Sequence, residues 1–229
     1  MRVPGYALVG MSWMVVATMA SASSAQWSIV APPEWKDVST ALRQQPQIQE
    51  QQKKLMAKGG AMELVGYQSP TGDSLFVIFT RAAASGRDAG RATRDFEAGA
   101  HESSIKLGSE TSYTTREHNH TLIADQVIDA SGRSFWMRRL TGVNDAYLLS
   151  VAATCTGPQG ACASALQSLT LDSSGFHPLG INSGDIGGVD RESDAYKAGY
   201  AAGRVLVAVI IALLLLWLLV RLRRAKQSR

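Results

Sequence analysis

The longest hydrophobic run, residues 205–220 (VLVAVIIALLLLWLLV), has no polar position on any helical face, and five basic residues follow it within nine positions. At 1.5 Å per residue the run covers about 24 Å, a little under the roughly 30 Å hydrocarbon core. Flanking Arg204 and Arg221 can extend the span by snorkelling. Thirteen of its sixteen residues are Leu, Ile or Val. On centre-of-bilayer values they favour insertion by about 4–8 kcal/mol. A helix buried in a protein core would be followed by ordinary mixed sequence, not by a cluster of positive charge. The pattern predicts a transmembrane helix over 205–220 and a basic cytoplasmic tail over 221–229. Tyr200 and Trp217 stand about 25 Å apart along such a helix, as two interfacial aromatics would.

A second apolar run, 6–20, follows Arg2 and leads into Ser-Ala-Ser-Ser-Ala, with Ser23 and Ala25 at −3 and −1 before Gln26. This is the layout of a secretory signal over 1–25, either cleaved or retained as an anchor. No Cys lies there, so it is not a lipoprotein signal. Together the two runs predict a single-pass protein of a bacterial inner membrane, with its domain in the periplasm and its C-terminus in the cytoplasm.

Between the runs the periods alternate. Trp27-Ser-Ile-Val suits an edge strand ended by Pro32 and Pro33, which cannot donate to a ladder. A polar helix is predicted over 46–58, with Pro46 at its first position and Gly59-Gly60 as its stop. Strands are predicted over 62–68 and 75–80, joined by the turn chemistry of Ser-Pro-Thr-Gly-Asp-Ser. Leu-Phe-Val-Ile-Phe (75–79) is continuously apolar, as in a central strand covered on both faces. A long helix is predicted over 88–106 from Ala89, Ala92, Phe96 and Ala100, closed by Gly108. Four antiparallel strands follow near 109–117, 121–130, 133–142 and 146–154, with tight turns at Ser131-Gly132 and Asn144-Asp145. A helix over 161–169 closes an extracytoplasmic domain of 26–172. The fold class is therefore α+β, an antiparallel sheet with helices packed on its faces, plus the C-terminal membrane helix.

After Asp172 the sequence turns to Ser, Gly, Asp and Asn. A flexible linker is predicted over 173–192, with a reach of roughly 25 Å, although Phe176, Leu179 and Ile181 can pack locally. A helical stalk over 193–204 is capped by Asp190 or Ser193 and runs without interruption into the membrane helix. Its Gly199-x-x-x-Gly203 spacing permits close helix approach. Two readings stand: a homodimer through the transmembrane helix, or a stalk that merely contains small residues.

Charge changes this picture only in location. The whole chain carries +4, but residues 26–197 hold 16 Lys and Arg against 19 Asp and Glu, a balance of −3. The positive excess faces anionic lipid from the tail, and nucleic acid is not an expected partner. Cys155 and Cys162 bracket a short loop, and in an exported domain they are expected to form a disulfide stabilising by about 2–3 kcal/mol.

Candidate chemistry is sparse. His118 and His120, with His101 elsewhere, could serve a metal or a hydrolase, against the plainer reading of exposed loop histidines. Asp125, Asp129, Arg133, Arg138 and Arg139 cluster on the second and third strands of the meander, either as cross-strand ion pairs or as a charged partner surface. Trp27 and Trp35 are candidate anchors for a protein partner, or packing residues of the first strand. No phosphate loop, nucleophile elbow or H-E-x-x-H occurs. No catalytic residue, metal ligand or cofactor is assigned.

The opening Trp27-Ser-Ile-Val-Ala-Pro-Pro-Glu-Trp35-Lys resembles the PsbP-like α/β/α sandwich family. So do the paired strands ending Leu-Phe-Val-Ile-Phe, the long helix, the meander and the closing Ala-Leu-Gln-Ser-Leu (165–169). The resemblance covers residues 26–172, and the membrane tail departs from the photosystem members. It implies a non-catalytic binding or assembly module with a protein partner in the envelope.

Overall fold

The computed structural model describes residues 21–23, 26–57, 60–84, 88–180, 188–205 and 207–208. The expected signal run 6–20, most of the expected span 205–220 and the tail 221–229 lie outside them. Among the described residues no helix is long and apolar enough to cross a membrane.

The elements run β1 (Ser21–Ser23), β2 (Trp27–Val30), β3 (Lys36–Asp37), α1 (Ser39–Arg43), α2 (Pro46–Met56), β4 (Ala61–Gln68), β5 (Ser74–Ala83) and α3 (Ala89–Ser104). A short 3-10 turn, Ile105–Leu107, follows. Then come β6 (Ser109–His118), β7 (Thr121–Ala130), β8 (Arg133–Val143), β9 (Tyr147–Thr156), α4 (Gln159–Gln167), β10 (Thr170–Leu171) and a last helix, α5, over 194–205. Seven strands form one sheet in the order β3-β4-β5-β9-β8-β7-β6, with every pairing antiparallel. The α+β class is as expected.

β5 lies inside that sheet between β4 and β9, and Leu75 to Phe79 are all buried. Because successive side chains alternate faces, Leu75, Val77 and Phe79 join one core with Cys155, Leu166 and Trp27. Phe76 and Ile78 join the opposite core with Leu42, Ile48 and Met62 from the α1–α2 side. α3 covers the rest of that second face through Ala92, Phe96 and Ala100, against Val143 and Leu148.

The meander turns are visible in the backbone. Ser131 and Gly132 have φ of 53° and 73°, and Asn119 and His120 have φ of 49° and 60°. Two consecutive positive φ values are the signature of a type I′ hairpin, whose twist matches that of the strands. Asn144 instead accepts from the backbone N–H groups of Ala146 and Tyr147 through its side chain, which lengthens that loop.

Several expectations are corrected. β2 is not an edge of the main sheet; it pairs with β1 and β10 in a separate three-stranded sheet. β1 itself lies within the stretch expected to be the signal. β3 and α1 have no counterpart in the sequence reading, because two and five residues are too short to show a period. The linker is not wholly free: Phe176 and Leu179 are buried, and Phe176 covers Gly142, where any Cβ would collide with its ring. Ile181 lies outside the described residues.

The largest correction concerns α5. It does begin at Ser193, whose hydroxyl accepts from the Tyr196 N–H at 3.0 Å, the N-cap expected there. But α5 is no free stalk, because it lies against α3. A Cβ on Gly199 would strike the Phe96 carbonyl, and one on Gly203 would come within 2.8 Å of the Ala100 carbonyl oxygen. Across the contact, a Cβ on Gly99 would strike the Tyr196 carbonyl and lie 2.8 Å from the Tyr200 nitrogen. Among the described residues the small-residue spacing thus serves an intramolecular crossing with α3. Polar contacts fix its ends: Tyr196 donates to Glu102 at 2.5 Å, Lys106 donates to the Tyr200 hydroxyl at 2.7 Å, and the Asp190 N–H donates to Asp95 at 3.0 Å.

Gly199→Leu is therefore expected to cost about 1–3 kcal/mol by overpacking against backbone. That lowers the melting temperature of the full chain by roughly 2–10 °C. Ala201→Leu, on the outward face of α5, should melt near wild type. Equal melting of Gly199→Leu and wild type, measured by circular dichroism, would reject the packed crossing.

Candidate binding groove

Two segments nearly 150 residues apart in sequence make a groove of about 790 Å³. One wall is the last turns of α2, with Lys54 and Leu55. The floor is the ends of β4 and β5, with Met62 and Ala83. The other wall is α5, from Asp194 to Val205, with Ala92 of α3 beside it. The α5 lining is mostly alanine, at 195, 198, 201 and 202, and Ala195, Ala198 and Ala202 also pack against the α3 core, so short side chains bring the helix close and leave space beside it. The size and apolar lining are those of small-molecule sites, which span about 300–1,000 Å³.

Three cations and one acid line the groove: Lys54, Lys197, Arg204 and Asp194. Lys54 also pairs with Glu50 at 2.6 Å, and Lys197 with Glu192 at 3.1 Å. Both lysines stay largely exposed, with side chains 62% and 48% accessible, so neither pair holds its ammonium strongly. No side chain in the lining pairs a nucleophile with a base.

The residues singled out in the sequence lie elsewhere. His101 meets Glu110 at 2.6 Å and stacks on Tyr113 with centroids 3.9 Å apart. His118 and His120 are exposed at the far end of β6, eight residues and about 26 Å along the strand from Glu110. The three histidines therefore do not converge, and among the described residues no group of three or more ligand-type side chains is placed to hold a metal. Cys155 and Cys162 form the disulfide, with Cα atoms 5.5 Å apart.

The aromatic and arginine set divides. Trp27 is buried at 3% exposure and its indole donates to Glu63 at 3.0 Å, which removes it from any partner surface. Trp35 is half-buried against the same core. Arg138 and Arg139, being successive strand residues, point to opposite faces of the sheet. Arg139 is buried under α3, paired with Glu97 at 2.8 Å, and so is also removed from the surface. Tyr113 donates to the same Glu97 carboxylate, and burial followed by that negative charge pushes its phenol well above the usual range.

Arg138 grips Asp125 through two bonds, at 2.6 and 3.1 Å, and Arg116 adds a third at 2.8 Å. Burial alone would raise the Asp125 carboxyl; the bonds from Arg138 and Arg116 outweigh it and hold the carboxyl below its ordinary value. No protein-family model matches the sequence. No curated protein matches it closely enough to count as a relative.

A depressed carboxylate pKa contributes stability that is present above its unfolded value near 4 and is lost as pH falls through the folded value. Asp125→Asn should therefore destabilise the domain by about 1–2 kcal/mol at pH 7. Denaturation titrations of variant and wild type should converge below about pH 3. A gap that is the same at both pH values would contradict the charge-based account.

Proposed function

We propose that this chain is a membrane-tethered, extracytoplasmic binding or assembly module of a bacterial envelope complex, with the α2–α5 groove as its binding surface. The groove is the observation that carries the reading: its lining is apolar with a few cations, suited to holding a ligand and not to bond-breaking. The signal-like start and the 205–220 run supply the tether. The Cys155–Cys162 bridge fits an oxidising compartment. The antiparallel sheet with helices on its faces is compatible with the PsbP-like sandwich, whose members the residues of 26–172 resemble. The alternative, a small hydrolase or metal-dependent enzyme using His101, His118 or His120, has less support, because those side chains do not share a site.

Asn119-His120-Thr121 is an N-glycan acceptor triplet on an exposed turn. A bacterial periplasm leaves it bare, whereas a eukaryotic lumen would load it. An unmodified mass from the native host is therefore the expected result.

Protease added to spheroplasts should digest the domain and leave a small membrane-bound fragment carrying the C-terminus. A domain that survives until the spheroplasts are lysed would overturn the tethered orientation.

A further inference from the structure

We propose that the α2–α5 groove binds a free medium-chain fatty acid, with the acyl chain along α5 and the carboxylate at the Arg204 end. The inference rests on the binding-module reading and names its ligand class.

Along α5 the groove runs from Asp194 to Arg204, ten residues or about 15 Å. That is an elongated trough, matched to a chain more than to a ring. Its two ends differ chemically. Val205 shares a core cluster with Met62 and Leu55, which brings the Arg204 end of α5 beside the Lys54 turn of α2. Two cations therefore stand at one mouth. Toward the other end the lining is Ala92, Leu148 and Ala195, and there the one carboxylate, Asp194, stands three residues from Lys197, so that end has no net charge where the mouth has two cations. Charge and apolar surface together describe an amphiphile with a negative head and a hydrocarbon tail.

The cationic mouth also lies where α5 meets the uncharged run 205–220. In the tethered reading this puts it beside the bilayer, into which fatty acids partition. A partner helix could also use an alanine-rich face, but it would leave two cations at one mouth without a function. Burial of the chain supplies affinity at about 25 cal/mol per Å² of apolar surface removed from water, and the mouth fixes direction.

The test uses the full-length protein in phosphatidylcholine nanodiscs, titrated with radiolabelled laurate and compared with empty discs. Saturable binding of one laurate per chain is expected. Ala201→Trp, which fills the groove from α5, and Ala82→Phe, which fills it from β5, should each weaken binding by at least about tenfold. If one of them fails to melt cooperatively, the other decides. Arg204→Gln should weaken laurate by about two- to fivefold, while leaving binding of the neutral analogue dodecanol unchanged.

Three results would overturn the proposal: no saturable binding above empty discs, binding undiminished in the folded groove-filled variant, or an equal effect of Arg204→Gln on laurate and dodecanol. Loss of a dimer in Ala201→Trp without laurate binding would assign the groove to a second copy instead. Spheroplast proteolysis separates the two levels: a correctly exposed domain that ignores laurate removes this ligand alone, whereas a protected domain removes the tethered reading beneath it.

Discussion

Everything distinctive about this molecule depends on how closely α5 approaches α3. Three glycines, at 99, 199 and 203, let backbone meet backbone where any Cβ would intrude. Backbone contact at this distance replaces side-chain interdigitation. The small side chains beside it leave space between α5 and α2. The same crossing that completes one core therefore opens the groove. It also joins the sheet to whatever follows residue 205 through a packed helix instead of a loose tether. In the tethered reading, the domain keeps a defined tilt relative to the bilayer.

The crossing sits over a polar interior. Glu97 and Arg139 are both nearly sealed from solvent, and Tyr113 shares the Glu97 carboxylate. Removing one partner from such a pair costs about 3–5 kcal/mol, because the other charge stays buried. The pair thus fixes which way α3 faces. A rotation of α3 that carried Glu97 away would leave Arg139 unpaired and would misalign Gly99 with α5.

Much of the architecture was legible because period and punctuation agreed. The alternation of β7 and β8, the Ser131-Gly132 turn and the unbroken apolar run of β5 each have one physical reading. The long α3 was legible for the same reason, since its apolar spacing and the Asp88 cap coincide. The α5 start at Ser193 was also legible, because a side-chain cap is a local event. What failed to show was long-range. Gly199-x-x-x-Gly203 says that a helix will come close but not which helix, and its partner, Gly99, lies a hundred residues earlier. The groove was invisible for the same reason, since α2 and α5 share no motif and touch only through the fold. Arg138 and Arg139 looked like one basic patch because they are adjacent in sequence, yet adjacency on a strand places them on opposite faces.

The pairing of β5 with β9 has a kinetic consequence. Ser74 lies opposite Thr156, 82 residues away, whereas each hairpin of the β6–β9 meander closes over a few residues. Loop-closure entropy makes the distant pairing late and the meander early. During synthesis the β4–β5 hairpin emerges before β9, leaving one edge of β5 unpaired until the chain through Thr156 is made. Such a strand is a template for wrong pairing while it waits. The longer β5 stays unpaired, the more of the chain is exposed to mispairing at that one strand, so the arrival of β9 is the step that closes the main sheet.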